Sequence, residues 1–149
     1  MPGNYIGAGW NFPLQFDATN SIALATHARD IEQAIEIIVR TAPGERPMRP
    51  EFGCRIQDHL FSPGNEVTRA AIAHDVRRAI EMWEPRVDVE NVIVSIDAES
   101  ATTFYIDVWY QIRGYNDKRN LVFPFYVIPD EPAALPAAEP PPDYVLSEA

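Results

Sequence analysis

Residues 104–112 read FYIDVWYQI, a run in which large apolar side chains recur at every second position. A period of two residues is that of a β-strand, whose successive side chains point to opposite faces of a sheet. An amphipathic helix would instead repeat its apolar positions every three or four residues. We therefore predict a strand here, with Phe104, Ile106, Val108, Tyr110 and Ile112 on one face and Tyr105 and Trp109 on the other.

The same period appears once before and once after this run. Its apolar positions are Val92, Val94 and Ile96 on one side and Leu121, Phe123, Phe125 and Val127 on the other. Polar turn sequences, DAES at 97–100 and GYND at 114–117, separate the runs. We predict a three-stranded antiparallel meander. Pro124 lacks a backbone donor, so we expect the third strand to lie at an edge or to carry a bulge.

Two helices are predicted before the meander. The first has the apolar positions Ile31, Ala34, Ile35, Ile38 and Val39. The second runs from Glu66 to about Trp83 with the apolar positions Val67, Ala70, Ala71, Val76, Ala79, Ile80 and Trp83. Thr26 and Asn65 are the predicted N-caps, and Arg55–Phe61 is expected to form one or two helical turns. The predicted class is α+β, with two main helices packed on the meander and an irregular N-terminal loop.

The chain divides into three parts. Residues 1–20 are expected to form an ordered N-terminal loop, because exposing Trp10, Phe12, Leu14 and Phe16 to water is costly. A short strand is expected around 21–25. Residues 21–128 form a single α+β domain. Residues 129–149 hold six prolines, five acidic residues and no Lys or Arg, a composition typical of an unpacked tail.

Charge and cysteine content exclude several classes of protein. The 22 acidic and 12 basic side chains give a net charge of −10, half of it in residues 129–149. A chain without a basic arm is a poor binder of nucleic acid or anionic membranes. A single cysteine, Cys54, allows no intrachain disulfide, and no segment resembles a signal peptide or a membrane span. We expect a soluble chain, cytoplasmic when it is made, with neither nucleic-acid partner nor membrane insertion.

Nothing in the spacing of reactive side chains selects a catalytic site. A glycosidase needs two facing carboxylates, and the acids in or beside irregular segments are Glu45, Glu51, Asp58 and Glu84. A lone cysteine such as Cys54 is more often buried than nucleophilic. The histidines, His27, His59 and His74, lack metal-ligand spacing, and no glycine-rich phosphate loop is present. We predict a non-enzyme without catalytic residues, metal or cofactor.

Three features favour a docking function. The connection 41–65 carries Glu45, Arg46 and Arg49, which either pair locally to stiffen the loop or form a charged docking surface. The corner Glu84-Pro85-Arg86 holds an acid and a base beside a proline that restricts the backbone, so a partner would lose little entropy there. The meander has unpaired strand edges, which could accept a strand from another chain. The alternative is that the two helices cover one face of the sheet and the other face is merely amphipathic, with no partner.

Taken together, these segments resemble the baseplate wedge proteins of contractile phage tails and related injection systems, often catalogued as "lysozyme-like". The resemblance covers about residues 7–128. It rests on GWxFPL at 9–14, IxQxIxII at 31–38, TxPGERxMRPEFGC at 41–54, FxP at 61–63, AIxxWEPR at 79–86 and NLVFPF at 120–125.

The resemblance implies a structural role in a baseplate. The Glu84-Pro85-Arg86 corner would dock on the helical core bundle of the wedge, and the strands would be the first platform for sheath polymerisation. It also implies sheath subunits as partners, hub or inner-tube proteins at the N-terminal loop, and about six copies per baseplate. Peptidoglycan cleavage by a lysozyme-type hydrolase and binding of a regulatory partner at the strand edge stay open as alternatives.

Overall fold

The structure, a computed structural model, describes residues 6–98, 102–116 and 118–126. Its elements are β1 (Ala8–Trp10), β2 (Leu24–Thr26), α1 (Ala28–Arg40), a 3₁₀ helix (Arg55–His59), α2 (Glu66–Trp83), β3 (Val87–Ile96), β4 (Thr103–Ile112) and β5 (Lys118–Tyr126). The predicted α+β class is confirmed. The middle of the first predicted turn, Asp117, Val127 and the segment 129–149 lie outside the described residues.

The last three strands form the predicted meander. They pair antiparallel in the order β3-β4-β5, and Ile106 of β4 lies opposite Val94 on one side and Phe123 on the other. All three side chains are buried, because they share one face of the sheet. A register shift at Val89/Asn91 marks a bulge in β3. Pro124 lies on the outer strand β5, as its missing donor led us to expect.

The core lies between that face of the sheet and the two helices. Its fully buried side chains include Ile31 and Ile35 of α1, Ile72, Val76 and Ile80 of α2, and Phe104, Ile106 and Val108 of β4. Burying one such side chain is worth about 1.5–3 kcal/mol. The core is thus built by all the main elements, which places the end of α2 and the start of β3 in a defined position.

Helix α2 has the predicted bounds, but its apolar stripe was partly wrong, since Val67 and Ala70 are both exposed. The Asn65 side chain accepts a hydrogen bond from the backbone N–H of Thr68 at 2.8 Å, which confirms the predicted cap. Val67 is 77% exposed, so its placement in the core was wrong. Ile72, which we left out, is buried instead, because the sheet and α1 contact α2 along the line through Ile72, Val76 and Ile80.

Helix α1 does not begin as predicted. Thr26 belongs to β2 and pairs with Ala8, so it is not the cap. His27 holds the N-cap position with φ 59° and no side-chain hydrogen bond. The chain reverses direction at this residue, because a strand paired up to Thr26 is followed at once by a helix.

The N-terminal segment is more regular than expected. β1 and β2 form a two-stranded antiparallel hairpin, extended by a bridge between Phe16 and Ile22. Gln33 of α1 anchors this hairpin by accepting from the backbone N–H of Phe12 at 3.0 Å and donating to Asn11 at 2.6 Å. The large side chains of residues 10–24, which we expected to be covered, are exposed. Those exposed are Trp10, Phe12, Leu14, Phe16, Ile22 and Leu24.

Candidate docking surfaces

The corner between α2 and β3 is closed by a bidentate ion pair. Glu84 follows the last residue of α2, and only 4% of its surface is exposed. Arg86 donates from Nε to Oε1 of Glu84 at 2.7 Å and from Nη2 to Oε2 at 2.6 Å. The backbone N–H of Arg86 also donates to Oε1, at 3.2 Å. Both carboxylate oxygens are therefore satisfied within the corner itself.

Arg86 also joins the corner to two distant elements. Its Nη1 donates to Asp30 Oδ2 of α1 at 2.6 Å and to the carbonyl of Ile6 at 3.0 Å. The hydrogen bonds to Glu84, and then those to Asp30, raise the pKa of Arg86 above its ordinary value. One guanidinium thus holds the helix end, the start of α1 and the chain entering β1 together. Asp30 was not predicted as a member of this group, because it lies 56 residues from Arg86 and no local pattern links the two.

Glu84 and Arg86 do not both project into solvent from the corner. Glu84 points inward, Pro85 is exposed, and about a third of the Arg86 side chain is exposed. Any partner at this site would therefore contact Pro85 and the free side of Arg86. The docking role of the corner stays a prediction.

The 41–55 loop is stiffened mainly by backbone and aromatic contacts. Cys54 N–H donates to the Thr41 carbonyl at 2.8 Å, and Gly44 N–H to the Pro50 carbonyl at 2.7 Å. Gly53 has φ +119°, and a Cβ there would collide with the Thr41 carbonyl, so the turn requires glycine.

The predicted docking residues of this loop lie at its surface. Glu45 accepts from the backbone N–H of Ala42 at 3.0 Å. The Arg46 guanidinium lies 4.5 Å from the centre of the Phe52 ring, and Phe52 packs at 5.2 Å against Trp83. Arg46 and Arg49 form no ion pair with any described residue, which does not support local ion pairing as their role. The Phe52–Trp83 contact places the loop beside the end of α2, one residue before the corner.

A cleft of about 570 Å³ separates this loop from α2. Its lining residues are Pro43, Pro50, Glu51, Gly53, Cys54 and Arg55 from the loop side and Asp75, Arg78, Ala79, Met82 and Trp83 from α2. Asp75 is engaged with His59, whose Nε2 lies 2.9 Å from its Oδ2.

The two edges of the meander differ. On β3, Arg77 of α2 donates from Nη2 to the carbonyls of Val89 and Glu90 at 2.7 and 2.9 Å, which occupies part of that edge. Among the described residues, β5 pairs with β4 alone. The face of the sheet turned away from the helices carries exposed apolar side chains, which are Ile93, Tyr105, Trp109, Val122 and Tyr126. An apolar patch beside an open strand edge is typical of a protein interface.

The sequence model of the family described as "Baseplate wedge protein gp25" matches residues 25–117. This match covers more than half of the chain and includes α1, the loop, α2, the corner, β3 and β4. The chain belongs to the gp25 family. Membership confirms the resemblance found in the motifs, including the corner at 84–86, which lies inside the matched range.

Three proteins from different sources resemble this chain. The baseplate wedge protein gp25 of Enterobacteria phage T4 is 29% identical over 75 residues, which cover 50% of this chain and 57% of that relative. A Geobacter sulfurreducens protein named as a tail lysozyme is 40% identical, with a TM-score of 0.66 over 76% of this chain and 100% of its own. A chain of the anti-feeding prophage baseplate is 25% identical, with a TM-score of 0.68 over 74% of this chain and 89% of its own.

Of the four acids considered as glycosidase residues in this gp25-family chain, two are engaged within the fold. Glu84 is bound at both oxygens by Arg86, and Glu45 caps a loop turn. Glu51 lines the 570 Å³ cleft, whereas Asp58 lines a neighbouring cavity. The word lysozyme in the name of the Geobacter relative shows no activity of this chain. In residues 6–98, 102–116 and 118–126, no three His, Cys, Asp or Glu side chains are grouped as a metal site needs. No helix in these ranges combines the length and apolar character needed to cross a bilayer.

Cys54 is a buried thiol of the core. Only 1% of its surface is exposed, and burial, with smaller contributions from the negative charges of Asp75 and Asp58, raises its pKa to about 11. The thiolate is the reactive form, so a thiol with this pKa is a poor nucleophile at neutral pH. The structure thus confirms the expectation that this lone cysteine is buried.

We expect native protein to react with a thiol reagent such as DTNB only after denaturant is added. Because the folded pKa lies above the unfolded one, the unfolded thiol loses its proton first as pH rises. Stability is therefore retained below about pH 9 and falls by roughly 2–3 kcal/mol as pH rises toward 11. Urea unfolding at several pH values measures this. The Cys54→Ala variant is the control and should lose less stability over the same interval; equal losses would contradict the assignment.

Proposed function

We propose that this chain is a structural component of the baseplate of a contractile injection system. The observation that carries the proposal is the match of residues 25–117 to the gp25 family of baseplate wedge proteins. A relative of similar fold in the anti-feeding prophage baseplate supports it. That baseplate was solved with six-fold symmetry, which supports six copies of this chain in its own particle. The chain would be made in the cytoplasm and then become part of the particle.

The first proposed contact is with the helical core bundle of the wedge. Glu84, Pro85 and Arg86 form a corner whose backbone is held by the ion-pair network, so docking would order little that is not already ordered. The loop that carries Glu45, Arg46 and Arg49 lies near the same end of α2. Arg46 lies over the Phe52 ring, and Phe52 contacts Trp83, the last residue of α2. Pro85, Arg86, Glu45, Arg46 and Arg49 form the proposed contact surface, Glu84 holds Arg86 in place beneath it, and Arg46 and Arg49 supply the positive charge.

The second proposed contact is with a sheath subunit, by addition of a strand to β5. The exposed edge offers backbone donors and acceptors, and Val122 and Tyr126 beside it offer apolar surface. Such an edge would be the template on which the first sheath ring forms.

The third proposed contact is with a hub or inner-tube protein at the N-terminal hairpin. Trp10 is 71% exposed and Phe16 is 67% exposed, on a hairpin that Gln33 holds against α1. Leaving this much aromatic surface in water is unfavourable, which supports a partner that covers it.

The test of this function is the location of the chain in a purified contractile particle by electron microscopy. We expect density for residues 6–126 at the baseplate, in contact with wedge and sheath proteins. When the gene is deleted, we expect the inner components to remain without attached wedges. No contracted sheaths should be found. Density elsewhere in the particle, or normal particles after deletion, would overturn the proposal.

We further propose that the chain does not cleave peptidoglycan. Zymography of purified protein should show no clearing, and the Glu51→Gln and Asp58→Asn variants should match wild type. Clearing that disappears with one of these changes would establish the hydrolase instead. The assay needs no particle, so its result is independent of the baseplate test.

A further inference from the structure

The cleft between the 41–55 loop and α2 has features of a peptide-binding groove. Ala79, Met82 and Trp83 supply an apolar wall, and Met82 is 55% exposed although it faces a concave surface. Phe52 supports that wall from behind through its contact with Trp83. A wall of this kind can hold an aromatic or branched aliphatic side chain.

Two arginines at the cleft have no acidic partner. Neither Arg55 nor Arg78 forms an ion pair with a residue of the described ranges. The neighbouring Arg77, by contrast, is held by Glu81 at 3.2 Å. Of the acids at the cleft, Asp75 is engaged with His59, so Glu51 is the remaining one. The cleft therefore balances two acids against two arginines, and the two guanidinium groups, which pair with neither acid, are available to a ligand that carries carboxylates and an apolar centre.

Two smaller cavities lie beside the cleft, on the side of the end of β5. A second cavity, of about 470 Å³, shares Pro43, Cys54 and Arg55 with it. A third, of about 140 Å³, shares Gln57 with the second and is lined by Phe123, Pro124 and Phe125 of β5. Because each cavity shares lining residues with the next, the cleft and residues 123–125 of β5 lie on neighbouring parts of the surface.

The sequence that follows β5 has the matching chemistry. Residues 143–148 read DYVLSE, an aromatic and two aliphatic side chains enclosed by two acids, and they lie outside the described residues. The sixteen residues between Tyr126 and this motif can span at most about 53 Å. A domain of this size has a radius of gyration of about 14 Å, so the motif can reach any point on the surface.

We propose that residues 143–148 bind in cis to the cleft, with Asp143 and Glu148 at Arg55 and Arg78 and the apolar side chains against Met82 and Trp83. Tethering supplies an effective concentration on the order of millimolar, so even a weak contact is occupied in the isolated protein. The segment would cover a surface beside Arg46 and Arg49, and a wedge partner docking there would have to displace it.

Paramagnetic relaxation in the full chain tests this proposal. The Ala149→Cys variant is produced with ¹⁵N and carries a spin label on the new cysteine. Mass spectrometry verifies that buried Cys54 stays unmodified. We expect the amides of residues 54–55 and 78–83 to lose most of their signal intensity, and to regain it in high salt. The R55S/R78S variant should abolish the loss. The R29S/R113S variant, which removes the same charge from other surfaces, should retain it.

Three outcomes would overturn the proposal. The first is a loss of amide signal spread evenly over the protein, and the second is a loss that R55S/R78S does not change. The third is a loss of signal in ¹⁵N-labelled protein caused by a separate, spin-labelled ¹⁴N copy at low concentration. The last would show binding in trans. Amide dispersion confirms that each variant is folded. The experiment uses the isolated chain, so its failure would leave the proposed baseplate function untouched.

Discussion

Replacing Arg86 with alanine is expected to lower the free energy of unfolding by about 2–4 kcal/mol and to prevent assembly of the chain into a wedge. The change leaves the Glu84 carboxylate, 5% exposed, without the two hydrogen bonds that neutralise it. It also releases Asp30 and the Ile6 carbonyl, so that α1 and the chain before β1 lose their connection to the corner. We place the loss below the full cost of breaking a buried pair, because a third of Arg86 is in contact with solvent.

Two further variants separate the causes. Arg86→Lys keeps the charge but loses the bidentate geometry, so we expect an intermediate loss of stability. Arg113→Ala breaks the exposed pair with Asp88, in which both side chains are more than half exposed, and should change stability by less than about 1 kcal/mol. Urea denaturation measures stability, and co-purification with wedge proteins measures assembly. An Arg86→Ala chain that unfolds at the wild-type urea concentration would contradict the network, and one that assembles normally would contradict the docking role.

Replacing Val122 with proline is expected to leave baseplates intact and to abolish sheath extension. Edge strands tolerate proline where its nitrogen faces away from the neighbouring strand. Backbone N–H groups alternate sides along an antiparallel strand, so Val122 shares the outward orientation of Pro124. The substitution would therefore remove a donor from the open edge of β5 without breaking its ladder with β4.

A matched change tests whether the backbone donor or the side chain is required. Val122→Thr keeps the N–H and the branched shape, and the side chain is half exposed, so sheath extension should be normal. Electron micrographs of tails score both variants, and thermal unfolding should show each within about 1 kcal/mol of wild type. Extended sheaths in the Val122→Pro variant would refute strand addition at this edge, whereas shortened sheaths in both would point to the side chain.

The elements whose signals lie within a few residues were predictable. The alternation at 104–112 places β4, and Pro124 places β5 at the edge, because each depends on one strand and its pleat. Asn65 caps α2 through a hydrogen bond to a residue three positions along, which sequence spacing shows directly. The surface position of Arg46 and Arg49 also follows from a polar, proline-rich loop.

The errors come from contacts between distant segments. Val67 and Ile72 both fit a helical apolar pattern, and only the placement of the sheet and α1 decides which of them is buried. Thr26 has the chemistry of a cap, but strand pairing with Ala8 takes it into β2. The exposed hairpin side chains were expected to be covered, because a sequence does not show whether its own core extends over them.

The sequence by itself determined the α+β class, the meander, the second helix with its cap and the family motifs, including the Glu-Pro-Arg corner. These features depend on side-chain period, local hydrogen bonds and backbone restriction, all of which act over a few residues. Only the tertiary structure decided that Glu84 faces inward and that Arg86 binds Asp30, which is 56 residues away. It also decided that Arg55 and Arg78 line one cleft and that neither pairs with an acid of residues 6–98, 102–116 or 118–126. Such pairings form only when packing of the common core brings separate elements together, and no local pattern records that distance.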